Sequence, residues 1–102
     1  MTWAVTTDVP GLSAEVYDAV HRKVLDRTGG SADGLLVHLA RQTGDGVQVI
    51  DVWRSREDYE RYGREVVGPV LAEVLGGGEQ PEVVVTPFDV RGLVTPAGGV
   101  VI

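Results

Sequence analysis

A ferredoxin-like α+β fold, βαββαβ with a four-stranded antiparallel sheet, is what this sequence predicts, on three observations. From Gly34 to Tyr62 the chain reads as two strands folded on each other around the turn-forming run Thr43-Gly44-Asp45-Gly46, with a helix leaving the second strand. A strand rich in Trp, Val and Thr, from Thr2 to Thr7, and a helical stretch after it precede this hairpin. A last strand, Glu82 to Asp89, follows the second helix. That order gives an antiparallel sheet with both helices on one face, and the other face commonly demands a partner.

Taken in order, Asp8-Val9-Pro10-Gly11 ends the first strand, and Ser13 is the N-cap of a helix to about Arg27. Leu12, Val16, Val20 and Val24 form its apolar stripe, flanked by Tyr17, His21 and Leu25. Gly29-Gly30 supplies the C-cap. After the hairpin, Ser55-Arg56-Glu57-Asp58 fits a capping box, and Tyr59, Tyr62 and Val66 then share a helical face. Gly68-Pro69 is expected to interrupt this helix, since proline lacks an amide hydrogen, although Pro69 also suits the first turn of a continuing helix through Leu75. Gly76-Gly77-Gly78 follows a helix and does not join a strand to a helix N-terminus, so it reads as a flexible connector and not a phosphate cradle. Pro87 places the last strand at an edge, or ends it.

The hairpin fixes a pairing. With its loop centred between Gly44 and Asp45, residue 42 lies opposite 47, 40 opposite 49, 38 opposite 51 and 36 opposite 53. His38 then faces Asp51. One face carries Leu36, His38, Ala40, Val49, Asp51 and Trp53, the other Leu35, Val37, Leu39, Ile50 and Val52. Neither suits bulk water, so the hairpin needs two covers, helices on one side and a second sheet on the other. In so short a chain the second sheet can belong to a second copy. Which face meets the helices is left open by side-chain parity.

With 102 residues the chain is one domain, small enough for burial by dimerisation to matter. Residues 1–90 form the domain, and 91–102 an apolar tail that either crosses to a partner subunit or stays mobile. There is no cysteine, which excludes disulfides and thiolate metal sites. A formal net charge of -6 argues against nucleic acid as the main partner. The amino terminus lacks the features of a signal peptide, and no apolar run approaches the ~20 residues of a membrane span. A soluble, cytoplasmic protein is expected.

The run Asp51-Val52-Trp53-Arg54-Ser55-Arg56-Glu57-Asp58-Tyr59-Glu60-Arg61-Tyr62 resembles the antibiotic biosynthesis monooxygenase-like group of dimeric α/β barrel proteins. Family members show an acidic residue, one spacer, an aromatic, then a Ser-capped helix with an acid in its first turn and aromatics farther along. The resemblance implies a homodimer whose two sheets face each other as a barrel, with a pocket in each subunit between sheet and helices. It also implies cofactor-independent oxygenation of polycyclic aromatic or polyketide-like molecules in secondary metabolism, with polyketide cyclisation as a related activity. The haem-degrading branch uses an Asn, a helix Trp and a His. This chain has no Asn, carries Tyr62 at the helix position, and has Ala72 where that His would fall.

Among the residues themselves, His38 opposite Asp51 is the sharpest constellation. A carboxylate beside an imidazole favours its cationic form and fixes its orientation, as a general base removing a phenolic or α-carbonyl proton requires. The carbanion so made can react with O2 or close a ring, without metal or flavin. Trp53, Tyr59 and Tyr62 are the candidate substrate-binding residues. A self-satisfied cross-strand pair that sets strand register, in a non-catalytic binding or assembly module, is the competing reading. Two histidines on different elements with scattered carboxylates form no metal-ligand pattern, so neither metal nor cofactor is expected.

Overall fold

Two serines set where the helices begin. Ser13 Oγ accepts from the Val16 amide, and Ser55 Oγ accepts from the Asp58 amide, each satisfying a free donor of a first turn. The computed structural model of the chain describes residues 2–30, 32–76 and 82–94. In order these form β1 (Trp3–Pro10), α1 (Ala14–Thr28), β2 (Leu35–Gln42), β3 (Gly46–Trp53), α2 (Arg56–Tyr62), a π-helical turn (Gly63–Val67), α3 (Gly68–Leu75) and β4 (Val84–Phe88).

The sheet order is β2-β3-β1-β4, antiparallel throughout, which is the ferredoxin-like arrangement expected. β4 is an edge strand, as Pro87 within it requires. β1 runs on past Thr7 to Pro10, because Val9 pairs with Val47 and both are buried. Gly29 closes α1 in the left-handed conformation, with φ 71°, and its amide donates to the Leu25 carbonyl. Gly77 and Gly78 of the expected connector, and residues 95–102 of the expected tail, lie outside the described residues.

The hairpin register and the second helix also depart from expectation. The hairpin keeps the predicted register at Gln42–Val47, Ala40–Val49 and His38–Asp51, but Leu35, not Leu36, lies opposite Trp53. A β-bulge absorbs Leu36, and the extra residue brings Leu35 onto the face of Trp53, where it is buried. Gly68-Pro69, expected to interrupt the helix, does not do so. The Gly68 amide bonds to the Gly63 carbonyl, five residues back, and backbone angles stay helical through Val67 and Gly68. Widening the turn relieves the clash a proline ring makes with the carbonyl four residues earlier, and α3 begins with Pro69 in its first turn.

The core lies between sheet and helices and is built mainly from valine. Val5 and Val70 are wholly buried, and each contributes roughly 1.5–3 kcal/mol by leaving water. The far face of the sheet carries Leu39, Ile50, Val84 and Phe88. Leu39 is 55% exposed, Val84 56% and Phe88 41%. Among the described residues no helix is long and apolar enough to cross a membrane.

Candidate functional site

His38 and Asp51 lie on the helix side of the sheet. β2 and β3 pair them across the ladder, and His38 Nδ1 donates to Asp51 Oδ1 over 2.7 Å. Their side chains are 20% and 14% exposed, so the pair is half-sunk beneath the helices. From above, α1 delivers Tyr17, whose hydroxyl lies 2.7 Å from His38 Nε2. His21, one turn on, has Nδ1 3.4 Å from the same hydroxyl. The three rings are nearly parallel, with His21 and His38 centroids 5.5 Å apart.

An aromatic cluster continues this row of polar groups. Trp53, two residues beyond Asp51 and only 1% exposed, packs 5.2 Å from Tyr62 and 6.1 Å from Tyr59, centroid to centroid. Tyr59 in turn lies 4.9 Å from Trp3, over which the Arg56 guanidinium sits at 6.0 Å. The Trp53 indole N–H is buried and has no hydrogen-bond partner among the described residues. Such an orphan donor costs free energy, and functional sites are where it is tolerated.

Electrostatics follow from burial around one carboxylate. Burial, then the charge of Asp51, pushes the Tyr17 and Tyr62 hydroxyls up to about 12. Burial also raises Tyr59 above the ordinary phenol range. His21 is lowered, first by burial and then by His38 beside it. All three tyrosines therefore rest as hydrogen-bond donors near neutrality.

The site so assembled unites every residue expected from the sequence, His38, Asp51, Trp53, Tyr59 and Tyr62, on one side of the sheet. It adds three more, namely Tyr17, His21 and Trp3. The spacing Tyr17, His21, Val24, Thr28 was the available signal for α1, since steps of four, three and four keep one face of a helix. A cleft of about 240 Å³ opens beside the cluster, lined by Tyr62 together with Asp58, Arg61 and Glu65 among others. A second, of about 390 Å³, lies by Val47 and Val84 at the far end of the strands. Neither is lined by His38 or Asp51. Among the described residues no three His, Asp or Glu side chains gather to hold a metal ion.

Gly34 holds the start of β2 against α2. Its φ is +87°, and an added Cβ there would overlap the Asp58 carboxylate, which pairs with Arg61 at 2.6 Å. Arg61 holds that carboxyl below its usual range. The Asp58 carboxylate thus bonds along its own helix, while the cap itself is made by Ser55.

No protein-family profile and no curated protein matches the chain. Solved structures do. A protein of unknown function from Nitrosomonas europaea is 13% identical with a TM-score of 0.70, covering 95% of this chain and 96% of its own. A candidate antibiotic biosynthesis monooxygenase from Caulobacter crescentus is 17% identical with a TM-score of 0.62, covering 89% and 90%. SnoaB, a cofactor-independent oxygenase from Streptomyces nogalater, is 15% identical with a TM-score of 0.59, covering 91% and 95%. The fold of this chain is the one these proteins share.

Proposed function

From a fold held in common with antibiotic biosynthesis monooxygenase-like proteins, we propose a small homodimeric enzyme of secondary metabolism that oxygenates an aromatic or polyketide-like molecule without a cofactor. The observation that carries this reading is the His38–Asp51 pair, partly open to solvent on the helix side and next to Trp53 and Tyr62. An imidazole held by a carboxylate is suited to drawing off an acidic C–H or O–H proton. The resulting anion is electron-rich enough to reduce O2. For a methylene between aryl rings, the methylene and one molecule of O2 give a ketone and one molecule of water. One oxygen atom enters the ketone, the other leaves as water with both methylene hydrogens, and the substrate supplies the electrons. The Trp53 N–H is an unpaired donor buried beneath this cluster, and Tyr59 and Tyr62 offer rings for stacking.

The exposed apolar face bearing Leu39, Val84 and Phe88 supports a second copy as the sheet's other cover. The likeness to SnoaB supports oxygenation over cyclisation, for which the same base would serve. One observation favours the non-catalytic alternative: neither cleft reaches His38.

The test is turnover of polycyclic phenols and anthrone-type ketones under air and under nitrogen, for the wild type and for His38→Gln. Oxygenation is expected in air only, and is lost in His38→Gln with the circular dichroism spectrum unchanged. A rate that persists under nitrogen identifies a cyclase. Full activity of His38→Gln removes the proposed base.

A further inference from the structure

We infer that Tyr17 is the residue that meets the substrate proton, with His38 and Asp51 acting behind it as an Asp–His–Tyr relay. The inference rests on the base-catalysed reading above and changes which atom does the work. His38 has two ring nitrogens and both are taken: Nδ1 faces Asp51 and Nε2 faces Tyr17, each at 2.7 Å. An ionised carboxylate only accepts, so Nδ1 carries a proton. In the neutral ring Nε2 is then an acceptor, and the Tyr17 hydroxyl donates to it. No nitrogen of His38 is left for a substrate.

The Tyr17 oxygen, by contrast, still has lone pairs. Its only other described polar neighbour within hydrogen-bond range is His21 Nδ1, at a long 3.4 Å. A substrate O–H or C–H reaching this oxygen can pass its proton to it while the phenolic proton moves to His38 Nε2. The substrate bond and the old O–H bond break, and new O–H and N–H bonds form. The electron pair stays on the substrate as its anion, and the imidazolium faces Asp51. No free phenolate arises, which matters because burial and Asp51 hold Tyr17 at about 12. The titratable groups around this oxygen are His38, Asp51, His21, Asp18 and Tyr62. Once His38 holds the proton, the phenol turns its own toward His21.

The same arrangement makes Tyr17 a nucleophile toward an activated ester. Its oxygen attacks the carbonyl carbon of p-nitrophenyl acetate, the phenolic proton goes to His38, and p-nitrophenolate leaves, giving acetyl-Tyr17. The experiment treats the whole protein with this ester at neutral pH and maps the label by peptide mass. Acetylation at Tyr17 is expected in the wild type, falling about a hundredfold in His38→Gln. In Tyr17→Phe the ester is expected to react at His38, whose Nε2 is then uncovered. That comparison decides the matter alone if His38→Gln does not fold. Labelling of wild-type His38 ahead of Tyr17, an unlabelled Tyr17, or Tyr17 labelling indifferent to His38 would each overturn the relay. Labelling needs neither O2 nor an aromatic ligand, so the relay can hold where oxygenation fails. Conversely, oxygenation that survives Tyr17→Phe but not His38→Gln refutes the relay and leaves the proposed function standing.

Discussion

Replacing Trp53 by Phe sets two effects of similar size against each other. The indole is 1% exposed, so the smaller ring loses on the order of 40 Å² of buried apolar surface, about 1 kcal/mol at 25 cal/mol per Å². It also leaves roughly 40 Å³ of space, about 1 kcal/mol more at 24 cal/mol per Å³. Against this, the substitution removes a buried N–H that has no partner, a relief of about 1–3 kcal/mol. The net change should lie within about 1 kcal/mol of zero, whereas Trp→Ala in a core costs about 3–5. Urea unfolding at fixed protein concentration is the assay, and the midpoint should move by less than about 1 M with an unchanged slope. A loss above about 3 kcal/mol would refute the reasoning, because it would mean that the indole N–H is satisfied in the folded protein. If the donor is instead held for a substrate oxygen, Trp53→Phe keeps its stability and loses turnover.

Gly34→Ala should cost about 1–3 kcal/mol by forcing a side chain into positive φ against Asp58, while Gly44→Ala, with open space around it, should melt with the wild type in a thermal scan. Tyr17, Tyr59 and Tyr62 are the only tyrosines and all are raised, so their stabilising contribution is complete below pH 10; that of Tyr17 and Tyr62 is lost as pH climbs toward about 12. Absorbance at 295 nm should therefore show Tyr17 and Tyr62 still protonated at pH 10 and ionising together with unfolding; three independent titrations near 10 would contradict this. For His21, lowered in the fold, stability is fully present above about 6.5 and falls as the pH drops below it. His21→Gln should flatten the melting temperature between pH 7 and 5, and an unchanged slope would count against its burial. Leu39→Lys on the exposed sheet face should yield a monomer in sedimentation, and a persisting dimer would move the interface elsewhere.

Much of this structure is legible in the residues because local chemistry and global fold agree. Ser13 and Ser55 cap where their side chains can reach a first-turn amide, and the Thr43–Gly46 turn sets a register that brings His38 to Asp51. The bulge was not legible, since Leu36 resembles its neighbours and only the paired strand reveals an extra residue. Tyr17 was hidden for a geometric reason. A strict repeat of four, as in Leu12, Val16, Val20 and Val24, drifts about 40° per step on a helix of 3.6 residues per turn, so it cannot mark one face along its length. Face assignment for the hairpin needed the helices themselves, because alternation separates two sides without saying which is covered.

The π-helical turn has a consequence for the phase of everything that follows it. Tyr62, Val66, Val70 and Val74 are spaced by four, a period that would wind steadily out of line on an unbroken α-helix. Between Gly63 and Val67 the ladder reaches back five residues instead of four, and the wider turn takes up that drift like a vernier. Tyr59 and Tyr62 thus keep their place against Trp53 while Val70 is driven wholly into the core and α3 lies against α1. Removing one residue from this turn would restore ordinary helix and, with it, rotate one half against the other by about 100°. The segment is a setting of angle between the aromatic cluster and the core, written as a single additional residue.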